Sequence, residues 1–536
     1  MNRSGHLDTF ARDNLPPLKS WPMLRGLDEL GYPARLNVAT ELIDRHIDEG
    51  RGDNVALIGK GGSWTFAELA KMVNRLANVL QSAGLVPGNR VLLRSANTPI
   101  MAALYFAILK AGGIVVATMP LLRAKELGIM IDKAAVSLAL CDAALSDEME
   151  AAANGRTTKV VYFGTDAFDE GVAEASDAFE PCDTASDDVC LIGFTSGTTG
   201  IAKGTMHFHR DMLAICDCYA AEVLRARPDD RFIGSPPLAF TFGLGGLVLF
   251  PWRVGAASIL IAKATPGELM PAIAEHRATV LFTAPTAYRA MLSHLDEHDL
   301  SSLRVCVSAG EALPRATFDA WKDATGITIL DGIGATEMLH IFIAAPEEEV
   351  RPGATGRPVR LYEAKVIDED GAECPDRTPG RLAVRGPTGC RYLADPRQSE
   401  YVQNGWNVTG DTYIRDEDGY FWYQARSDDM IISAGYNIAG PEVEGALLAH
   451  DAVAEAGVVA APDPERGQIV KAYVVLNGDH AAGEGMAKLL QDHVKAVLAP
   501  YKYPRAVAFV DALPRTETGK LQRFALRRRA EEEAER

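Results

Sequence analysis

Phe194-Thr195-Ser196-Gly197-Thr198-Thr199-Gly200-Ile201-Ala202-Lys203-Gly204 follows directly on the apolar run 189–194. Gly197, Gly200 and Gly204 let the backbone curl until its N–H groups converge. Thr195, Ser196, Thr198 and Thr199 add hydroxyl donors, and Lys203 adds a point charge. Triphosphate oxygens need that collection of donors. The run is not a Walker A loop, because Ala202 precedes Lys203 and Gly204 follows it. A plain surface turn would not need adjacent threonines and a serine locked between glycines.

Outward from this loop, helix and strand patterns alternate. Thr65-Phe66-Ala67-Glu68 has the form of a capping box, with Phe66, Leu69, Val73, Leu76 and Leu80 at helical spacing before Gly84. Strands are expected at 91–93, 114–117, 159–162 and 303–307, with a further strand closing 276–282. Helices are expected at 99–110 and 287–295. Such alternation implies α/β layers with mostly parallel sheets. After about Pro352 short strands such as 363–367 and 381–385 stand between Gly, Pro and Asp turns, with no helix for some sixty residues, which predicts a small β subdomain over about 352–426. A last unit begins near Ser427, where Pro441-Glu442-Val443-Glu444 opens a helix. Strands at 456–460 and 471–476 follow, then a helix ending at Leu498. The charged end, 527–536, has the pattern of a solvated helix.

The 536 residues are 47% hydrophobic, 24% charged and 7% aromatic, ordinary usage for a folded chain with a sizeable core. A net charge of −18 argues against nucleic acid as a partner, although a nucleotide can still be held locally. Cys141, Cys182, Cys190, Cys216, Cys218, Cys306, Cys374 and Cys390 form no C-x-x-C pair, so buried free thiols are expected rather than zinc. Charge runs through MNRSGHLDTFARDNLPP, so no secretory signal is expected and the reduced cytoplasm is the expected compartment. The apolar stretches 100–122 and 242–262 are broken by Lys110, Gly112, Gly113 and Pro120, and by Pro251 and Arg253. Each suits a buried helix, a glycine turn and a buried strand rather than a membrane span.

Further motifs stand in a fixed order along nearly the whole chain. They are Ser308-Ala309-Gly310-Glu311-Ala312-Leu313-Pro314, Asp331-Gly332-Ile333-Gly334-Ala335-Thr336-Glu337, Thr409-Gly410-Asp411, Ala425-Arg426-Ser427-Asp428-Asp429 and Pro514-Arg515-Thr516-Glu517-Thr518-Gly519-Lys520. Together with the glycine-rich loop they resemble the adenylate-forming enzymes: acyl- and aryl-CoA ligases, luciferases and peptide-synthetase adenylation domains. The resemblance implies a large N-terminal part, 1–426, of two α/β layered subdomains plus the β subdomain. A small mobile α+β C-terminal domain, 427–536, would be hinged at Asp428. It assigns Thr195, Ser196, Gly197, Thr198, Thr199 and Lys203 to the nucleotide phosphates. Gly310, Glu311, Ala312, Asp331, Gly332 and Ile333 fall on the adenine side, and Asp411 and Arg426 at the ribose. Thr336 would supply a phosphate hydroxyl, Glu337 a magnesium carboxylate, and Lys520 the catalytic cation. The chemistry is coherent, since joining a carboxylate to ATP brings two anions together and cations must stand where charge develops. Asp411 offers two acceptor oxygens to a vicinal diol.

The aryl-CoA ligase branch is the nearest likeness. Thr336-Glu337-Met338-Leu339-His340-Ile341-Phe342 resembles the benzoate and 2-aminobenzoate ligases, and 11–17 and 433–438 resemble the 2-aminobenzoate members. By that resemblance Phe240, Thr241, Phe242, Ala309, Gly334, His340 and Ile341 line a flat, mostly apolar slot for one aromatic ring. Ser433, Ala434, Gly435 and Tyr436 would line the CoA passage. Three positions depart from the family. Ile333 replaces an aromatic residue beside adenine, Phe240 a histidine, and Ile432 a lysine after the hinge.

The implied reaction is activation of an aromatic carboxylate, 2-aminobenzoate ahead of benzoate, as aryl-AMP, followed by transfer to CoA. ATP, Mg2+ and CoA are the implied cofactors and co-substrates. No nucleic acid or membrane partner is expected, and a homodimer is an open assembly. Two alternatives stand beside this reading: a stand-alone aryl-AMP ligase serving an acyl carrier protein in trans, and a ligand-binding protein that has lost catalysis. Intact Glu337, Asp411 and Lys520 speak against the second.

Overall fold

The computed structural model describes residues 2–195, 202–426, 429–433, 436–463, 466–478, 480–515 and 520–534. Helix Phe66–Ser82 starts as its sequence dictates. The Thr65 hydroxyl accepts from the Glu68 N–H, and the Glu68 carboxylate accepts from the Thr65 N–H at 2.8 Å. Such caps contribute about 1 kcal/mol. Phe66, Leu69, Val73, Leu76 and Leu80 are each almost fully buried, at about 1.5–3 kcal/mol per large apolar side chain. They pack against helix Pro99–Lys110, capped by Thr98, inside the core shared by two sheets.

The first of these sheets has six strands in the order Lys159–Phe163, Leu138–Asp142, Arg90–Arg94, Ile114–Thr118, Val189–Thr195 and Lys203–Phe208. All pairs are parallel except the last, an antiparallel hairpin in which Thr195 faces Lys203. The second has nine strands, in the order Arg357–Pro358, Ile341–Ala344, Ile329–Gly334, Val305–Ser308, Val280–Thr283, Arg231–Gly234, Ala257–Ile259, Val55–Gly59 and Gly62–Thr65. It is parallel in the middle and antiparallel at both ends. These are the two α/β layers expected from the alternation.

A five-stranded antiparallel sheet follows, built on Glu363–Ile367, Gly380–Arg385, Val402–Gln403, Trp406–Arg415 and Phe421–Arg426. Its first strand is Glu363–Ile367, but the chain meets this sheet from Thr355 and Gly356, which exchange backbone hydrogen bonds with Phe421, while the intervening Arg357–Pro358 pairs with the nine-stranded sheet. The expected helix-free stretch is also interrupted, by the single turn Gln398–Tyr401. The C-terminal part is α+β with its own cores. It holds a sheet of Val453–Asp463, Gly467–Leu476 and Ala506–Phe509, a hairpin Ile431–Ser433/Tyr436–Ile438, and helices Gly440–Leu448, Glu484–Val497 and Arg523–Ala534. That last helix is less solvated than its charge run suggests: Leu526 and Ala530 are buried, with Leu526 set among Val459, Ala461 and Tyr473.

Stretch 242–262 forms a buried helical run to Val254, a left-handed turn at Gly255 and strand Ala257–Ile259. Among the described residues no helix is long and apolar enough to cross a membrane. All eight cysteines are free, seven of them buried.

Candidate active site

The carboxyl ends of parallel strands are where open α/β sheets collect ligands, and the motif residues gather there. Strand Val189–Thr195 ends at Thr195, whose hydroxyl is buried without a hydrogen-bond partner among the described residues. The returning strand begins at Lys203. Ser196, Gly197, Thr198 and Thr199 lie outside the described residues.

Lys203 meets Glu337 through a tyrosine. Its Nζ donates to the Tyr392 hydroxyl at 2.9 Å, and that hydroxyl donates to Glu337 Oε1 at 2.5 Å. Nζ itself is 3.6 Å from Oε1. The supports of this group run through the neighbouring strand. Met206 and Leu393 donate N–H bonds to the carbonyls of Arg391 and Gly204, so 391–393 lies alongside Lys203–Phe208. His207 Nε2 donates to the Thr336 carbonyl at 2.7 Å. The fully buried Arg391 guanidinium donates to Asp211 at 2.9 Å. Burial opposes ionisation of Asp211, yet Arg391 and His207 beside it bring its pKa down to about 2. Thr336 lies over Gly193, where a Cβ would come within 2.9 Å of its methyl group, so that strand position has no room for a side chain.

Glu311 follows Gly310, which adopts a left-handed φ of 90°. A Cβ on Gly310 would stand 3.6 Å from Lys520 Cε and 3.7 Å from its Nζ, so the C-terminal lysine is brought to this loop. Arg515, from the same C-terminal segment, approaches Glu311 at 3.9 Å. The surrounding protein draws the Lys520 pKa below that of a free lysine. Glu311 counteracts this, Arg426 adds to it and Asp411 counteracts it again, although solvent still reaches the side chain. Burial likewise raises Glu311, against the pull of Arg515 and Lys520. Asp411 and Arg426 are cross-strand partners, with Arg426 Nη1 3.4 Å from Asp411 Oδ1. Asp331 stands beside Ser308 in register. Burial lifts its pKa to about 7 against the Gly332 N–H and the Ser308 hydroxyl.

His340 is enclosed by aromatic rings, with centroids at 4.5 Å for Phe250, 5.5 Å for Tyr219, 5.6 Å for Phe242 and 6.3 Å for Phe282. Nε2 is 3.4 Å from the Phe242 carbonyl, and Nδ1 is buried without a partner. Burial lowers its pKa to about 3, so the ring is neutral at ordinary pH. Phe240 and Thr241 start the helical run and are half-buried, Ala309 and Ile341 are buried, and a Cβ added at Gly334 would come within 2.8 Å of the His340 backbone. Ile333 is half-buried and packs on the main core. Gly332 lies against Ile341, and Ala312 is exposed beside the Glu311 loop.

Of the CoA-side residues, Ser433 is buried within its own domain. Hairpin Ile431–Ser433/Tyr436–Ile438 packs on strand Gly467–Leu476 of that domain, with Ile432 exposed. Asp428, Ala434 and Gly435 lie outside the described residues. Tyr392, Arg391 and His207 carry no local motif. The only sequence trace of Tyr392 is its position between the magnesium-carboxylate motif and Thr409-Gly410-Asp411.

Glu337 is the acidic group here suited to a divalent cation, and among the described residues no cluster of three or more ligating side chains exists. That donor set fits Mg2+, which keeps several waters and is commonly bound by one or two carboxylates together with substrate phosphates.

Residues 44–392 match the AMP-binding enzyme family and residues 442–520 match the AMP-binding enzyme C-terminal domain. The chain is 38% identical to a benzoate–CoA ligase of Thauera aromatica over 509 residues, 92% of this chain and 96% of that one. It is 33% identical to a 3-hydroxybenzoate–CoA ligase of Aromatoleum sp. (strain CIB), again over 92% and 96% of the two chains. Its fold superposes with a TM-score of 0.90 on the crystal structure of the anthranilate CoA ligase AuaEII in complex with anthranoyl-AMP, at 33% identity, covering 95% of this chain and 99% of that one.

Proposed function

The chain belongs to the AMP-binding enzyme family, in its aryl-CoA ligase branch, and from that premise we propose that it joins an aromatic carboxylate to CoA at the expense of ATP. The observation that carries this is the meeting of Lys520 with the Gly310–Glu311 loop, which adds a C-terminal cation to a site already holding Lys203 and Glu337. The aryl carboxylate oxygen attacks the α-phosphorus of ATP, and the bond to the β-phosphate bridging oxygen breaks, releasing pyrophosphate. The CoA thiolate then attacks the acyl carbon, and AMP leaves with its phosphate oxygen. Lys203, with the loop 195–199, grips the phosphates, while Lys520 balances charge on the carboxylate and α-phosphate. Asp411 accepts from the ribose diol beside Arg426, and Asp331 and 310–312 flank the base. Mg2+ held through Glu337 would neutralise the phosphate oxygens. We divide the chain at 426/427, with Asp428 as hinge, and assign 433–436 to the CoA passage.

For the acid we propose 2-aminobenzoate. A neutral His340 with an unpartnered Nδ1 can accept from an ortho amino group, while the surrounding rings suit a flat aryl body. Benzoate is the second reading, favoured by the 38% identical relative. A panel of benzoates, scored by pyrophosphate release and by thioester formation with free CoA, tests both levels. The expected result is turnover of benzoate and 2-aminobenzoate, the latter with the higher kcat/KM. Absence of carboxylate-dependent pyrophosphate release overturns the ligase reading. Release without CoA thioester overturns CoA as acceptor and favours a carrier protein.

A further inference from the structure

Lys203 and Glu337 form an ion pair at 3.6 Å, and the Tyr392 hydroxyl sits to one side of it, hydrogen-bonded to both groups. Tyr392 is 1% exposed and firmly placed. Its N–H donates to Gln398 Oε1 at 2.8 Å, its ring meets Tyr401 edge-on at 5.8 Å, and its strand is bridged to Thr205. Among the described residues the Tyr392 hydroxyl is the hydrogen-bond partner of both the Lys203 ammonium and the Glu337 carboxylate. A direct pair in a buried site would be expensive to separate when ligands arrive, because Coulomb attraction grows as the local dielectric falls. A hydroxyl that accepts from one group and donates to the other keeps both oriented and takes up the direct hydrogen bond they would otherwise share, leaving the pair at 3.6 Å.

We propose that Tyr392 is a positioning residue for the ATP half-reaction: its hydroxyl, bonded to both members of the Lys203–Glu337 pair, orients the ammonium toward the nucleotide phosphates and the carboxylate toward their divalent cation. The inference rests on the ligase reading above. It assigns Tyr392 no contact with substrate and no proton transfer.

The test is Tyr392→Phe in the full chain, which keeps the ring against Tyr401 and Lys203 and removes the hydroxyl. Carboxylate-dependent pyrophosphate release is followed against Mg-ATP and against free Mg2+. Conversion of supplied aryl-adenylate and CoA to thioester normalises for correctly folded sites. The expected result is a loss of about ten- to a hundredfold in kcat/KM for Mg-ATP, the range for a hydrogen bond to a charged group, carried mainly by KM. The Mg2+ requirement should rise, and the thioester step should fall far less. Tyr392→His, which restores a ring N–H, should recover part of the loss and serves if the phenylalanine variant folds poorly. In the background of Glu337→Gln, removing the hydroxyl should add little, since it acts through that carboxylate. Parental kcat/KM for Mg-ATP, equal losses in both half-reactions, or full additivity with Glu337→Gln each overturn the proposal. If Glu337→Gln itself leaves Mg-ATP use unchanged, the underlying site assignment fails instead.

Discussion

Glu337 is buried, hydrogen-bonded to one neutral hydroxyl and 3.6 Å from one lysine. Glu337→Gln keeps the shape and removes the charge, so adenylation should fall by about 10² to 10³, as for loss of one preorganised stabiliser. A full adenylation rate at limiting Mg2+ would show that another group holds the cation. Asp331 yields a different kind of test, because burial alone holds its carboxyl at a pKa of about 7. The folded state retains a proton there that the unfolded chain releases near pH 4. The raised pKa therefore weakens folding progressively as pH climbs from about 4 to 7, and the penalty is complete above that. Asp331→Asn should accordingly raise the stability of the ligand-free protein at pH 8 by about 1–4 kcal/mol and leave it nearly unchanged at pH 4. Denaturant unfolding at the two pH values measures this. Equal effects at both would mean the carboxyl is not strained by burial.

At the scale of elements, the segment ending in Lys520 matters most. Lys520 stands beside Gly310, while hairpin Ile431–Ser433/Tyr436–Ile438 packs on strand Gly467–Leu476 of its own domain. If the hairpin lines the CoA passage as proposed, the small domain would turn between the two chemical steps. Lys520→Ala should stop adenylate formation yet still convert supplied aryl-adenylate to aryl-CoA. Asp428→Pro, which restricts rotation about the chain, should form adenylate and stall before the thioester. Assaying both half-reactions on both variants decides it, and equal loss of both steps in each would remove the case for alternation.

For the whole molecule, rings from separate elements enclose His340: Tyr219, Phe242, Phe250 and Phe282. In the proposed slot they would close the floor and limit how deep an acyl group can go. An apolar slot separates acids differing by one methylene by only about 1–3 kcal/mol, so benzoate should be accepted beside 2-aminobenzoate. A flexible eight-carbon chain should be excluded by length. Comparable kcat/KM values for octanoate and benzoate would contradict a closed floor.

The sequence determined what short-range chemistry can specify. The Thr65–Glu68 cap, the helix 99–110, the strand that feeds the glycine-rich loop and the left-handed turn at Gly255 each depend on contacts within a few residues. By resemblance, motif order also put Lys203, Glu337, Asp411 and Lys520 in one chemical scheme. Only the tertiary structure decided what joins those groups. Tyr392 reaches Lys203 and Glu337 across 189 and 55 residues, because a short bridge aligns 391–393 with Lys203–Phe208. The mixed pairing at the entry to the β subdomain has the same origin, since Gly356 bridges to Phe421 while the adjoining Arg357–Pro358 pairs with a distant sheet. Strand partnership and burial are collective properties of the packed chain, so neither leaves a mark at the residue that obeys them.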